Sequence, residues 1–101
     1  MGIGLWKEVI DVKRYHAIVS GRVQGVGFRF QAQMNAQTHD LTGWVRNKSN
    51  GDVELEIQGD PKNIETFFES LHTLRFPAKI KHIEQNEKEP LPHEKKFVIY
   101  H

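Results

Sequence analysis

Three glycines stand within the seven residues from Gly21 to Gly27, and Arg29 follows two positions later. Glycine readily adopts the positive φ angles that turn successive backbone N–H groups toward one point. A helix is predicted to begin directly after this loop, and its free N–H groups and positive dipole end would act on the same point. The planar guanidinium of Arg29 could then give two charge-assisted hydrogen bonds to a phosphoryl group. The segment therefore predicts a local anion cradle.

The cradle differs from the phosphate loop of nucleotide hydrolases, because the Gly-Lys-Ser/Thr ending that supplies a magnesium-binding hydroxyl is absent. The chain has no cysteine, which removes disulfides, thiolate zinc sites and cysteine nucleophiles. Its six histidines show no metal-ligand spacing, and we predict no function for any of them: His16, His39, His72, His82, His93 and His101. We therefore expect neither a metal nor another cofactor.

Length and composition predict a single small domain. The 101 residues are 38% hydrophobic and 27% charged, which is enough apolar material for one two-layer core. The net charge of +1 argues against a broad surface for nucleic acid or for an anionic membrane. No apolar signal or membrane span is present in the first residues, so a cytoplasmic location is expected. The chain is predicted to be a monomer. Residues 1–13 are expected to be a mobile leader and residues 14–101 the domain.

The strand and helix patterns alternate along the domain. Arg14 to Ser20 is apolar on both faces, as in a strand inside a sheet. Thr42 to Asn47 and Asp52 to Gln58 flank an Asn-Gly pair, which is the strongest short hairpin signal. Two further strands are predicted near the C-terminus, a weak one from Ile80 to Glu84 and a strong one from Phe97 to Tyr100.

Two helices are predicted between these strands. The first follows the glycine loop, with a core face assigned to Phe30, Met34 and Leu41. The second begins with the N-cap Asp60 and with Pro61, and its predicted core residues are Ile64, Phe67, Phe68 and Leu71.

These elements predict an α/β (α+β) two-layer sandwich of ferredoxin-like type, βαββαβ with an extra strand. Two helices would pack on one face of a mostly antiparallel sheet. Glu54, Glu56 and Gln58 alternate with apolar residues in one strand, so the opposite face of the sheet is expected to be solvated. Strand order does not follow from the pattern alone.

Two longer motifs resemble the acylphosphatase family. The first is Val19-x-Gly21-x-Val23-Gln24-Gly25-Val26-x-Phe28-Arg29, and the second is Gly43-Trp44-Val45-Arg46-Asn47-x-x-x-Gly51-x-Val53, closed by Gly59. The resemblance covers about Tyr15 to Tyr100 and implies an α/β sandwich that agrees with the elements above.

The resemblance implies that Arg29 binds the phosphoryl group of an acyl phosphate and that Asn47 orients the attacking water. The phosphate-binding residues that it implies are Arg22, Val23, Gln24, Gly25, Val26, Gly27, Phe28 and Arg29. An asparagine side chain can accept a hydrogen bond from water but cannot deprotonate it. This is sufficient, because the departing carboxylate has a conjugate acid with a pKa of about 4 and needs no general acid.

Two other functions fit the same fold class. A domain could keep the loop only to bind phosphate or a phosphorylated ligand, as such domains do when they are fused into larger maturation enzymes. A ferredoxin-like RNA-binding module is the second alternative, but its aromatic strand motif and its basic face are both missing. The preferred hypothesis is therefore an acylphosphatase that acts on a small-molecule acyl phosphate.

Overall fold

The structure is a computed structural model that describes residues 11–75 and 77–101. Its elements are β1 (Lys13–Arg22), α1 (Phe28–Thr38), β2 (Thr42–Asn47), β3 (Val53–Gly59), α2 (Pro61–Leu71), β4 (Lys79–Lys88) and β5 (Phe97–Ile99). Most of the predicted leader lies outside the described residues, and β1 begins at its last position, Lys13. The predicted order of helices and strands is confirmed.

The five strands form one mixed sheet in the order β4-β1-β3-β2-β5. β1 lies between β4 and β3 and is antiparallel to both, which confirms the prediction of an interior strand. β2 is antiparallel to β3 and parallel to β5. The first four strands have the ferredoxin-like arrangement, and β5 is the extra strand beside β2.

The hydrophobic core lies between the sheet and the two helices. Leu55 and Ile57 of β3 are fully buried there beside Ala17 and Val19 of β1. The predicted core face of α2 is confirmed, since all four of its assigned residues are buried. Its predicted N-cap is also confirmed, because an Oδ1 atom of Asp60 accepts a hydrogen bond from the backbone N–H of Lys62 at 2.8 Å.

The predicted core face of α1 is wrong. The buried residues of this helix are Phe28, Ala32 and Ala36, which recur every four positions. Phe30 is 57% exposed and Met34 is 44% exposed. A helix turns about 100° per residue, so the core position of Phe28 places Phe30 on the opposite side. Leu41, the third residue of the predicted face, is buried but lies beyond the end of the helix.

The hairpin is confirmed, with β3 starting one residue later than predicted. The backbone N–H of Lys48 bonds to the carbonyl of Asp52 at 2.8 Å, and Gly51 has φ +98°.

The strand that was predicted as weak, from Ile80 to Glu84, is longer than predicted. β4 extends to Lys88 because it pairs with β1 along its whole length, although its exposed, charged second half has little intrinsic strand preference.

The opposite face of the sheet is less solvated than predicted. Arg14, only 1% exposed, donates from Nε to Glu56 at 2.6 Å and from Nη1 to Glu94 at 2.8 Å. Burial by itself would lower the pKa of Arg14, but the two carboxylates outweigh it and raise this pKa above its ordinary value. Glu94 belongs to the segment before β5, which covers this part of the sheet. Charges on neighbouring strands are therefore paired here rather than hydrated.

A second cluster on this face centres on Glu54. Its carboxylate contacts Nε2 of His16 at 2.6 Å and the guanidinium of Arg46 at 2.6 Å. Burial alone would raise the pKa of Glu54, but these hydrogen bonds and the charge of Arg46 hold it below its ordinary value. We refer to Arg14, His16, Arg46, Glu54, Glu56 and Glu94 together as the ion-pair layer.

Candidate active site

The loop between β1 and α1 has the backbone that its glycines predict. Gly25 has φ +73° and Gly27 has φ +80°, both in the left-handed region. A Cβ atom built on either residue would meet nothing within 4 Å. These glycines are therefore required by the backbone conformation rather than by crowding, and the surface of the loop beside them is open.

The start of α1 offers backbone donors to the same open space. Gly27 is the N-cap residue and has no side chain to accept the first N–H groups, and the first turn holds no acidic residue. The first backbone N–H of the helix to bond within it is that of Gln31, which donates to the carbonyl of Gly27 at 3.1 Å. The N–H groups of Phe28, Arg29 and Phe30 precede it and have no intrahelical acceptor. This end of the helix carries positive potential.

Gln24 joins the loop to the hairpin. Its Nε2 atom donates to the carbonyl oxygens of Lys48 and Asp52, each at 2.7 Å. These two carbonyls flank the turn between β2 and β3. One side-chain amide therefore fixes the position of the hairpin, and hence of the end of β2, relative to the loop.

Asn47 is the last residue of β2 and pairs with Val53 of β3. Its Oδ1 atom is buried and accepts no hydrogen bond from any of the residues that the structure describes. Buried side-chain oxygens without a partner are rare in folded proteins, because the lost hydration is not replaced. The geometry leaves this acceptor available to a ligand or a water molecule.

Arg29 lies in the first turn of α1, next to β5. Its Nη1 atom donates to the backbone carbonyl of Tyr100 at 3.0 Å. The backbone N–H of Tyr100 is in turn bonded to the carbonyl of Val45 in β2 at 2.9 Å. The guanidinium is thus held near the C-terminal ends of β2 and β5, and Asn47 is the last residue of β2.

A cleft of about 200 Å³ brings these groups together. It is lined by Val23, Gly25, Gly27, Phe28, Arg29, Phe30, Asn47, Ile99 and His101. Arg29 and Asn47, predicted as a pair from motifs far apart in the chain, thus face one space.

Three residues predicted to bind phosphate are not among those that line this cleft. Gln24 acts through the hairpin contacts described above. Val26 is partly buried and packs against the core. Arg22 is the last residue of β1, pairs with Lys79 of β4, and lines a neighbouring cleft instead. The backbone N–H groups of Gln24 and Val26 belong to the loop, and a contact with phosphate remains a prediction for all three residues.

Sequence reasoning did not assign Phe30, Ile99 or His101 to the site. The last two reach it because β5 pairs in parallel with β2, and this long-range register has no local signal in the sequence. Phe30 had a signal, since two aromatic residues two positions apart in a helix cannot both face the core. His101 was predicted to have no function, and its place in the cleft wall does not by itself give it one.

Within residues 11–75 and 77–101, no three His, Cys, Asp or Glu side chains are grouped closely enough to hold a metal ion. No helix in the described part of the chain has the length and apolar character needed to cross a membrane.

Comparison with known sequences gives one consistent answer. The model of the acylphosphatase family matches residues 15–99. An acylphosphatase of Geobacillus thermodenitrificans is 41% identical over 88 residues, which are 87% of this chain and 94% of the relative. An acylphosphatase of Clostridium beijerinckii is 46% identical over 86 residues, 85% of this chain and 96% of the relative.

Solved structures agree with the sequences. The crystal structure of acylphosphatase from Bacillus subtilis matches with a TM-score of 0.83 and 36% identity, covering 88% of this chain and 99% of that one. Full-length HypF in its phosphate- and nucleotide-bound form matches with a TM-score of 0.84 and 31% identity. The match covers 92% of this chain but only 12% of HypF, so the same fold also occurs as a small part of a much larger protein.

Proposed function

The chain belongs to the acylphosphatase family and is an enzyme of that class, and we propose that Arg29 and Asn47 are its catalytic pair. In the proposed reaction, water attacks the phosphorus atom of an acyl phosphate and the bond from phosphorus to the carboxyl oxygen breaks. The products are a carboxylate and inorganic phosphate. The oxygen of the water becomes part of the phosphate, its two protons pass to the phosphate or to the solvent, and no redox partner is needed.

The observation that carries this proposal is the unpaired Oδ1 atom of Asn47 in the cleft that also contains the guanidinium of Arg29. A buried acceptor without a protein partner can accept one hydrogen bond from a water molecule. That bond would orient the water molecule so that a lone pair of its oxygen points at the phosphorus atom. Positioning of this kind lowers the barrier by removing orientational freedom before the reaction begins.

The phosphoryl group would be bound by the loop and by Arg29, next to the water that Asn47 orients. Its oxygens would accept hydrogen bonds from the N–H groups of the loop and of the first turn of α1, and from the guanidinium of Arg29. Because Gln24 ties the loop to the hairpin, these donors would need little rearrangement as charge spreads over the phosphoryl oxygens. Arg29 already donates to Tyr100, so it would either share that bond or exchange it for a phosphoryl oxygen.

The leaving group makes a general acid unnecessary. A carboxylate is expelled unprotonated near neutral pH, since the pKa of its conjugate acid is about 4. The phosphoryl oxygens can take the proton released by the attacking water. The scheme then depends on binding and orientation, as in phosphoryl transfer generally, and this chain's own donors supply the positive potential.

A non-catalytic role in binding phosphate or a phosphorylated ligand is the alternative, and the likeness to a small part of HypF keeps it relevant. The two functions differ in whether they need a residue that orients water, which is the role proposed for Asn47. Phosphate binding requires the loop and Arg29 alone, whereas hydrolysis also requires an oriented water. The buried, unpaired acceptor of Asn47 favours hydrolysis.

The direct test is release of inorganic phosphate from acetyl phosphate by the purified chain. We expect turnover that EDTA leaves unchanged, and competitive inhibition by inorganic phosphate, because phosphate would occupy the cradle. Phosphate binding without turnover would support the binding function instead. Loss of activity in EDTA that magnesium restores would contradict the proposed mechanism, and noncompetitive inhibition would place the anion site elsewhere.

A further inference from the structure

Phe30 stands in the wall of the catalytic cleft and more than half of its surface is exposed to solvent. The core beneath α1 does not need it, because Phe28, Ala32 and Ala36 already fill that contact. Met34, one turn later on the same side of the helix, is exposed as well but is not among the residues that line the cleft. A large exposed aromatic ring at a binding cleft is available to contact an apolar part of a ligand.

The cleft is lined by both polar and apolar residues. Arg29, Asn47 and the backbone donors are its polar groups, and Phe30 and Ile99 are among its apolar residues. An acyl phosphate likewise combines a charged phosphoryl end with a neutral acyl end. Once the polar groups hold the phosphoryl end, the apolar residues remain for the acyl group.

The cleft is small, about 200 Å³, and it opens to solvent on one side. A benzoyl group is larger than an acetyl group and reaches further from the phosphoryl end of the substrate. The exposed ring of Phe30 is one of the surfaces that such a larger acyl group can meet.

We propose that Phe30 forms an acyl subsite that favours aromatic and other large apolar acyl phosphates over acetyl phosphate. This inference rests on the proposed function, because it assigns the phosphoryl end of the substrate to the cradle of Arg29. An aromatic acyl group would pack against the ring of Phe30 in an offset or edge-to-face arrangement and remove apolar surface from water.

The kinetic test compares kcat/KM for benzoyl phosphate and acetyl phosphate in the wild type and three variants. Phe30→Ala should lower kcat/KM for benzoyl phosphate about tenfold, mainly through KM, and change that for acetyl phosphate by no more than about twofold. Phe30→Leu should fall between, because it keeps apolar surface without the ring. Met34→Ala is the matched control and should leave both values unchanged.

A binding test separates this inference from the proposed function. Benzoylphosphonate and acetylphosphonate lack the hydrolysable bond, so calorimetry measures their Kd values without turnover. The wild type should bind benzoylphosphonate more tightly, and Phe30→Ala should abolish most of that preference. If the wild type hydrolysed neither acyl phosphate, the proposed function would fail, but the ratio of the two Kd values would still decide the role of Phe30.

Three results would overturn the inference. The first is an equal loss for both acyl groups in Phe30→Ala, and the second is the same loss in Met34→Ala. The third is a wild-type dimer in sedimentation velocity that Phe30→Ala converts to a monomer, because the ring would then serve contact with a second copy of the chain.

Discussion

The cleft and the ion-pair layer lie in different parts of the molecule. Both contain several polar groups, but these groups are paired with each other in the ion-pair layer and partly unpaired in the cleft. In the ion-pair layer, Arg14 bonds to Glu56, Gln58 and Glu94, so its buried charge is fully surrounded by acceptors. In the cleft, Asn47 keeps a buried oxygen unpaired and the first turn of α1 has no side-chain cap. Paired charges hold the fold together, whereas unpaired groups are available to a ligand.

This difference shows why the number of charges is a poor guide to function here. The ion-pair layer contains six ionisable side chains, but their contacts with each other account for their presence. The cleft contains one arginine and one amide, and their internal contacts leave hydrogen-bonding capacity unused. Substitutions in the two regions should therefore separate activity from stability.

The largest expected effect is on activity, in Arg29→Ala. We expect kcat/KM for acetyl phosphate to fall about a thousandfold, with KM raised and kcat lowered, because in the proposed mechanism the guanidinium would contact the phosphoryl group both before and during the reaction. Arg29→Lys should restore little, since a point charge cannot replace the planar fork. The free energy of unfolding should change by about 1 kcal/mol at most, the value of one hydrogen bond. Near wild-type kcat/KM in a folded Arg29→Ala protein would contradict the assignment.

The next effect should appear in stability, in Arg14→Ala. Removing this buried cation leaves the carboxylates of Glu56 and Glu94 without their cationic partner, while the hydroxyl of Thr42 still donates to Glu94. The free energy of unfolding should therefore fall by about 3 kcal/mol. Urea denaturation measures it, and kcat of the folded variant should stay within about twofold of the wild type. Arg46→Ala is the control, because its exposed ion pair with Glu54 should contribute about 1 kcal/mol or less. Equal losses in the two variants would show that burial does not decide the strength of these pairs.

A smaller effect, about a hundredfold on kcat, is expected for Asn47→Ala. Its inhibition by inorganic phosphate should be nearly unchanged, because orientation of the water acts mainly in the transition state. Thermal melts must accompany the kinetics, since Asn47 ends β2 beside the hairpin turn. A folded variant with wild-type kcat would remove Asn47 from the mechanism and leave Arg29 and the backbone donors to explain catalysis.

The parts of the fold that the sequence predicts are those with local signals. The N-cap Asp60, the apolar spacing in α2 and the Asn-Gly turn each act within a few residues, and the structure confirms all three. The second half of β4 has no such signal and exists because β1 offers it a partner. The core face of α1 was mispredicted because small alanines, rather than the larger Phe30 and Met34, fit beneath the helix.

The residues of the candidate site likewise differ in whether a local sequence signal marks them. The loop and Asn47 were predicted because glycines, a following helix and two family motifs mark them in the chain. Ile99 and His101 depend on the parallel pairing of β5 with β2, which no neighbouring residues encode. The pairing of Arg14 with Glu94 is equally long-range. It pairs charges on a face of the sheet that was expected to be solvated.

In the proposed mechanism, the hydrogen bonds of Gln24 would make catalytic competence depend on the assembled sheet. Arg29 follows β1 in the chain and Asn47 ends β2, so neither segment alone contains the whole site. Gln24 bonds to the carbonyls on both sides of the hairpin turn, which it can do only when β2 and β3 are already paired and docked against the loop. Under the proposed mechanism, a chain that has formed the loop and α1 but not the hairpin could attract an anion, but Asn47 would not yet be in place to orient a water molecule.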